Sequence, residues 1–159
     1  LKNVIQESID VSLEVEWNKL SKEKQMYWLD IWKKSCQGIH VHYGDNGTSK
    51  DGPSSGSALS LAFYSLLNNI RIPNDYSFTG EINLRGMITA IGGLKSKIVG
   101  CKEAGVKKIF YPRENQKDID MILSKTPLIA KGVSLISVGT FDELLGHVFP
   151  KPKQKNMSL

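Results

Sequence analysis

Apolar residues recur at helical spacing through the first part of the chain. Val4, Ile5 and Ile9 begin a pattern that predicts a helix over residues 1–17 with one buried face. A second amphipathic stretch follows, and Ser21 is its predicted N-cap, because a serine oxygen accepts hydrogen bonds from the free amides of a first turn. Much of the apolar content of this second helix is aromatic. We interpret these aromatic residues as core-packing residues, with a partner surface as the alternative.

The next segment alternates in a different way. Residues 38–43 place apolar and polar side chains in strict alternation, which predicts a strand with His40 and His42 on one face. A loop rich in glycine and polar residues then covers positions 44–53. It leads into an apolar stretch that predicts a helix over residues 54–69.

The second half of the sequence predicts a hairpin followed by two strand and helix pairs. The predicted elements are a strand over 76–84, a return strand over 87–91, a helix over 94–104, a strand and helix over 108–111 and 115–123, and a strand and helix over 133–138 and 141–148. Gly105 ends the helix over 94–104 in the C′ position. Together these elements predict a single mixed α/β (α+β) domain over residues 1–150, followed by a basic, disordered tail over 151–159.

Composition and charge narrow the classes of function. The 159 residues carry a formal net charge of +5, but the positive residues are scattered, which disfavours a dedicated nucleic-acid surface. No apolar run is long enough to span a bilayer, and two cysteines are too few for the disulfide framework of a secreted domain. We therefore expect a soluble, membrane-free protein with reduced thiols, located in the cytoplasm or an organelle matrix.

Lys97 is the first candidate catalytic residue. It stands three residues after Leu94 and four before Cys101, so a helical turn of about 100° per residue brings all three to one face. Partial burial disfavours the charged form of a lysine, and a neutral amine can act as a general base. The alternative is a lysine that extends to solvent or pairs with a carboxylate.

The second candidate site is the segment Asp51-Gly52-Pro53-Ser54-Ser55-Gly56, where a Gly-Pro turn brings two serines to the start of a helix. A hydroxyl at that position lies beside backbone amides that no helical carbonyl has claimed, and such amides can hold an oxyanion. The candidate donors are Ser54, Gly52 and Asp51, because proline has no N–H. A serine that only caps the helix is the alternative.

Phosphate and metal sites are less well supported. A nucleotide loop is disfavoured because proline stands where that motif requires lysine. His40 and His42 could supply two zinc ligands, but the only other histidine, His147, lies far along the chain. We therefore expect no metal or cofactor in this chain, and we interpret His42 as a residue at the edge of the site that hydrogen-bonds to the following loop.

Three motifs together resemble the proteolytic domain of Lon proteases. Residues 50–56, K-D-G-P-S-S-G, are similar to the family's K-D-G-P-S-A-G; residues 79–86 fit T-G-E-I-x-L-x-G; and residues 91–97 fit I-G-G-L-K-x-K. Further similarity covers 4–8, 39–42, 112–118 and 141–145 in the same order. The resemblance implies the Lon-type fold, related to ribosomal-protein-like α/β folds, and the strands that normally precede its first helix are absent from this sequence.

The resemblance also implies an activity and its residues. Ser54 would be the nucleophile and Lys97 the general base of a serine endopeptidase that passes through an acyl-enzyme. Thr79 would hydrogen-bond near the lysine nitrogen and orient it, and Asp51 would shape the nucleophile loop. Ser55 replaces the family's usual alanine and is the competing nucleophile.

Partners and cofactors follow from the same resemblance. It implies ATP-dependent hydrolysis of unfolded or damaged proteins, a homo-hexameric ring, and an AAA+ ATPase module in the same full-length chain that would bind ATP and magnesium. This sequence would then be a fragment of such a protein or an ATP-independent relative. The first alternative is a noncatalytic Lon-like scaffold domain, and the second is a basic nucleic-acid-binding module.

Overall fold

A computed structural model describes residues 3–42 and 52–150. Within these ranges the chain forms six α-helices and five β-strands. In chain order they are α1 (Asn3–Lys19), α2 (Lys22–Ser35), α3 (Gly56–Asn68), β1 (Tyr76–Phe78), β2 (Glu81–Ile82), β3 (Ile88–Thr89), α4 (Leu94–Glu103), β4 (Lys108–Pro112), α5 (Gln116–Lys125), β5 (Ser134–Val138) and α6 (Phe141–Val148). Short 3₁₀ turns at Pro53–Ser55 and Arg113–Asn115 precede α3 and α5.

The strands form two small sheets. β4 is the centre of a three-stranded parallel sheet, with β1 on one side and β5 on the other. Phe110 of β4 lies opposite Phe78 of β1 and Ile136 of β5. β2 and β3 form a separate antiparallel hairpin in which Ile82 pairs with Ile88. Helices connect the parallel strands, as parallel pairing requires, so the predicted mixed α/β fold is confirmed.

Strand β4 contributes to two hydrophobic clusters, because successive residues of a strand point to opposite faces of the sheet. Phe110 packs in a first cluster with residues of α1, α3 and α6. Ile109 and Tyr111 pack in a second cluster with residues of α4 and α5. A third cluster lies between α1 and α3, and half-buried residues of α2 cover it. One strand therefore joins the first two parts of the core.

The predicted strand over residues 38–43 is wrong for the part that the structure describes. Residues 38–42 are extended chain without a strand partner, since none of the described strands pairs with them. The predicted faces are nevertheless right: Ile39 and Val41 pack on the third cluster, and His40 and His42 are exposed. Residues 43–51 and the predicted tail over 151–159 lie outside the described residues.

The predicted strand over 76–84 consists of two strands that belong to different sheets. β1 pairs with β4 as far as Phe78. The chain then turns at Thr79 and Gly80 and forms β2, which pairs with β3. A Cβ on Gly80 would lie 2.5 Å from Cγ2 of Ile88. Only glycine allows the hairpin to pack this closely at the turn.

Helix α2 differs in part from its predicted role in the core. Ser21 caps it as predicted, but none of its residues is fully buried. Trp28 and Trp32 are half-buried against the third cluster, whereas Met26 and Tyr27 are 67% and 61% exposed. Among the aromatic residues, core packing is therefore right for the tryptophans and wrong for Tyr27, because only one face of α2 rests on the domain. Over the described ranges, no helix is both long and apolar enough to cross a membrane.

Candidate active site

Ser54 lies in the 3₁₀ turn Pro53–Ser55 that precedes α3. Its carbonyl oxygen accepts two hydrogen bonds, one from the N–H of Gly80 at 2.9 Å and one from the hydroxyl of Thr79 at 3.3 Å. Both donors follow directly after β1, so the end of the parallel sheet fixes the backbone of Ser54. Proline at the first position of the turn has no N–H that would need a partner.

Close packing holds the start of α3 from two sides. A Cβ on Gly56 would lie 2.8 Å from the backbone nitrogen of Ile82, so the helix can approach β2 only because this residue is glycine. From the other side, the hydroxyl of the buried Ser12 on α1 donates to the carbonyl of Gly56 at 3.2 Å. The N–H of Ser57 also donates to the carbonyl of Gly80 at 2.9 Å. The turn Pro53–Ser55, which we call the nucleophile turn after the predicted role of Ser54, is therefore held between α1 and the β1–β2 junction.

Lys97 reaches the same place from α4. Leu94 and Ile98 of this helix are buried in the second cluster, and Lys97 is half-buried, as its position in the helical turn predicted. Its Nζ lies 3.3 Å from Oγ of Ser54 and donates a hydrogen bond to it. Lys95 is exposed. The structure therefore brings together two candidate residues that are 43 positions apart.

The pair lies at the wall of a cavity of about 370 Å³ between α3, β1, α4 and β4. The described residues that line it are Ser54, Ser55, Ala58, Ser77, Phe78, Thr79, Lys97, Gly100, Cys101 and Ile109. The cavity has apolar walls, and polar groups lie at Ser54 and Lys97. A cavity of this kind can hold the side chain of a ligand beside the serine.

Ser77 and Cys101 are cavity residues that sequence reasoning did not assign to the site. The thiol of Cys101 lies 3.2 Å from the hydroxyl of Ser77. Cys36 is exposed and Cys101 is half-buried, and both thiols are free. The spacing of four residues between Lys97 and Cys101 was the available signal, because residues i and i+4 share one helix face.

The residues predicted to support Ser54 and Lys97 do not all lie at the cavity. The hydroxyl of Thr79 bonds the carbonyl of Ser54, whereas the sequence predicted a contact near the nitrogen of Lys97. Gly52 is half-buried with a φ of 108°, in the region that favours glycine. His42 is exposed and is not among the described residues that line the cavity. Asp51 lies outside the described residues.

A metal site finds no support within residues 3–42 and 52–150. No group of three or more histidine, cysteine or acidic side chains able to hold a metal ion occurs in these ranges. The rings of His40 and His42 lie 6.5 Å apart, so they do share one side of the chain. Two imidazoles without a third ligand fall short of the usual protein zinc site.

One ionisable group is buried away from the cavity. Glu16 on α1 is 1% exposed, and neither of its carboxyl oxygens has a hydrogen-bond partner among the described residues. Burial raises the pKa of Glu16 from 4.5 to about 8; the nearby Lys19 lowers it and Asp142 raises it by smaller amounts. This carboxyl group is therefore mostly neutral at pH 7. Glu16 lies on the buried face of α1, seven positions after Ile9, so helical spacing was the signal that could have found it.

Comparison with known proteins finds similarity over nearly the whole chain. Residues 1–151 match the family model of the Lon protease (S16) C-terminal proteolytic domain. The chain is 40% identical over 148 residues to a Lon protease of Buchnera aphidicola subsp. Baizongia pistaciae, covering 91% of this chain and 18% of the relative. It is 34% identical over 152 residues to a Lon protease of Xanthomonas oryzae pv. oryzae, covering 96% of this chain and 17% of the relative. The chain thus spans less than a fifth of the length of these relatives.

Proposed function

Because the chain belongs to the family of Lon protease C-terminal proteolytic domains, we propose that it is a serine endopeptidase with Ser54 as nucleophile and Lys97 as general base. The observation that carries the proposal is the distance of 3.3 Å between Nζ of Lys97 and Oγ of Ser54 at the wall of a cavity. A hydroxyl nucleophile needs a base within hydrogen-bonding reach. Lys97 meets that requirement for Ser54.

The proposed reaction has two steps. The neutral amine of Lys97 takes the hydroxyl proton as Oγ of Ser54 attacks the peptide carbonyl carbon. The C–N bond then breaks, and the ammonium of Lys97 gives its proton to the leaving amine, which leaves an ester on Ser54. In the second step, water loses a proton to Lys97 and attacks the ester, and the acid product leaves as Ser54 regains its proton.

The backbone of the nucleophile turn is proposed to stabilise the oxyanion. The N–H groups of Ser54 and Gly52 flank Pro53, and amides at the start of a helix have no helical acceptor. The bonds from Thr79 and Gly80 to the carbonyl of Ser54 hold this turn in one orientation. Donors that are fixed before the reaction stabilise a developing charge without reorganisation.

For the whole protein we propose ATP-dependent hydrolysis of unfolded polypeptides by a homo-hexamer. ATP and magnesium would bind an ATPase module outside this sequence, and Asp51 would shape the nucleophile loop. The support for this part is the family relationship and the small share of each relative that this chain spans.

The catalytic pair can be tested with a fluorophosphonate, a small reagent that reacts with activated serines, and with the cleavage of unfolded casein. Ser54→Ala and Lys97→Met should each reduce both reactions by about 10³-fold or more. Ser55→Ala and Lys95→Met are the matched controls and should retain them. Labelling that persists in Ser54→Ala and disappears in Ser55→Ala would identify Ser55 as the nucleophile. Full turnover in Lys97→Met would end the proposal.

A further inference from the structure

The nucleophile turn Pro53–Ser55 borders two hollows. Ser54 and Ser55 line the catalytic cavity described above, whereas Pro53 lines a separate groove of about 440 Å³. The described residues around this groove are Val4, Glu7, Ser8, Val11, Pro53, Glu81, Ile82, Asn83, Leu84 and Arg85. The catalytic cavity and the groove are therefore neighbours that share the turn as a wall.

Helix α1 forms one side of the groove with a single face. Its four groove residues are Val4, Glu7, Ser8 and Val11, which follow the spacing i, i+3, i+4 and i+7 of one helix stripe. Val4 is exposed although it is apolar. Val4 on this face thus offers aliphatic surface that the described residues leave exposed.

The turn between β2 and β3 forms the other side. The side-chain oxygen of Asn83 accepts hydrogen bonds from the backbone N–H of Arg85 at 3.0 Å and of Met87 at 3.1 Å. Gly86 adopts a φ of 73°, which the turn needs and glycine permits. Leu84 is 62% exposed on this ordered turn. The structure therefore holds a leucine at the rim of the groove rather than in the core.

We propose that this groove binds an aliphatic side chain of the substrate polypeptide, a few residues along the chain from the residue that enters the catalytic cavity. The inference rests on the proposed function. An extended polypeptide advances about 3.3 Å per residue, so a chain that crosses Ser54 passes over Pro53 into the groove within a few residues. The aliphatic residues Val4, Val11, Ile82 and Leu84 offer contact surface for an aliphatic side chain, and the charged residues Glu7, Glu81 and Arg85 line the same groove.

Peptide binding can be measured without catalysis in the Ser54→Ala chain. The probe is a fluorescein-labelled, unstructured peptide of about ten residues with leucines on both sides of its central bond, and the readout is fluorescence anisotropy. Leu84→Glu in this background should weaken binding about tenfold, because a carboxylate replaces apolar contact surface. Val4→Glu should act in the same direction. Leu128→Glu is the matched control, since Leu128 is 69% exposed and lies outside the groove.

Three outcomes would overturn the assignment. One is equal affinity in the Leu84→Glu and Leu128→Glu chains when thermal denaturation shows both to be folded. Another is the absence of peptide binding up to about 1 mM. The third is a change in mass by light scattering in Leu84→Glu, which would make the groove an interface between copies of the chain. The fluorophosphonate reaction of Ser54 tests catalysis separately, so failure of the groove and failure of the catalytic pair are distinguishable.

Discussion

The hydroxyl of Thr79 donates a hydrogen bond to the carbonyl oxygen of Ser54, so a residue at the end of β1 holds the backbone of the residue whose side chain faces Lys97. The N–H of Gly80 donates to the same oxygen at 2.9 Å. One of these bonds depends on a side chain and can be removed by substitution. The other belongs to the backbone and remains.

Thr79→Val should lower the rate of peptide hydrolysis about tenfold with little change in KM. The substitution preserves shape in a buried position and removes only the hydroxyl, so Ser54 loses one of its two backbone restraints while the fold persists. Steady-state kinetics with a fluorogenic peptide measure this effect. Thr79→Ser restores the donor and should recover most of kcat. If Thr79→Ser is as slow as Thr79→Val, the hydroxyl is not the cause.

Glu16 should make the domain less stable as the pH rises. Its pKa is raised by burial from 4.5 to about 8, so the folded state holds a proton that the unfolded chain releases. The stabilisation is fully present below about pH 4.5 and is lost progressively up to about pH 8, for a total of about 3 to 5 kcal/mol. Urea unfolding at pH 5, 7 and 9 measures the loss.

Glu16→Gln is the variant that isolates this effect, because the amide does not ionise. Its free energy of unfolding should exceed that of the wild type at pH 9 and should lack the fall between pH 5 and 8. Glu14→Gln on the same helix is the control, since Glu14 is exposed. Parallel pH profiles for the wild type and Glu16→Gln would contradict the prediction.

Gly56→Ala should destabilise the fold by about 1 to 3 kcal/mol, because the new methyl group would meet the backbone nitrogen of Ile82 at 2.8 Å. Gly146→Ala in α6 is the matched control. A Cβ at position 146 has nothing within 4 Å, so alanine should stabilise that helix by about 0.5 to 1 kcal/mol. Thermal and urea unfolding compare the two variants. Equal effects of the same sign would show that contact with β2 does not decide the outcome.

Modification of Cys101 should slow the reaction of Ser54. The thiol lines the cavity one helical turn after Lys97, so a methylthio group on it occupies space beside Ser54 and Lys97. In a Cys36→Ser chain, methyl methanethiosulfonate should reduce fluorophosphonate labelling about tenfold, and dithiothreitol should restore it. The Cys36→Ser/Cys101→Ala chain should be insensitive to the reagent. Inhibition in that double variant would show that the reagent acts on a group other than Cys101.

The helices and the position of Lys97 were predictable because they depend on local patterns. A serine cap predicted the start of α2, apolar residues at helical spacing predicted α4 to within a few residues, and the phase of Leu94 and Cys101 indicated where Lys97 points. The choice between Ser54 and Ser55 came from the motif, and the structure places Oγ of Ser54 within hydrogen-bonding distance of Lys97. Their roles in catalysis remain predictions.

Features that depend on distant partners were harder to predict. Alternation in residues 38–42 indicated the correct faces but could not show that no described strand pairs with them. The break at Thr79 depends on pairing between β2 and β3, and the alternation of apolar and polar residues that continues from Tyr76 to Leu84 hides it. The buried state of Glu16 likewise depends on the packing of α1 against α3. In each case the deciding contact lies far along the sequence.

Strand β4 has a kinetic consequence, since its alternate residues belong to different clusters. Ser54 precedes α3 of the first cluster and Lys97 belongs to α4 of the second, so Oγ of Ser54 and Nζ of Lys97 meet only after both clusters have packed on β4. Contacts between distant positions form slowly during folding. After dilution from denaturant, recovery of helical circular dichroism should therefore precede recovery of fluorophosphonate labelling. Labelling of Ser54 should therefore report the last stage of folding, in which the clusters on both faces of the sheet are packed.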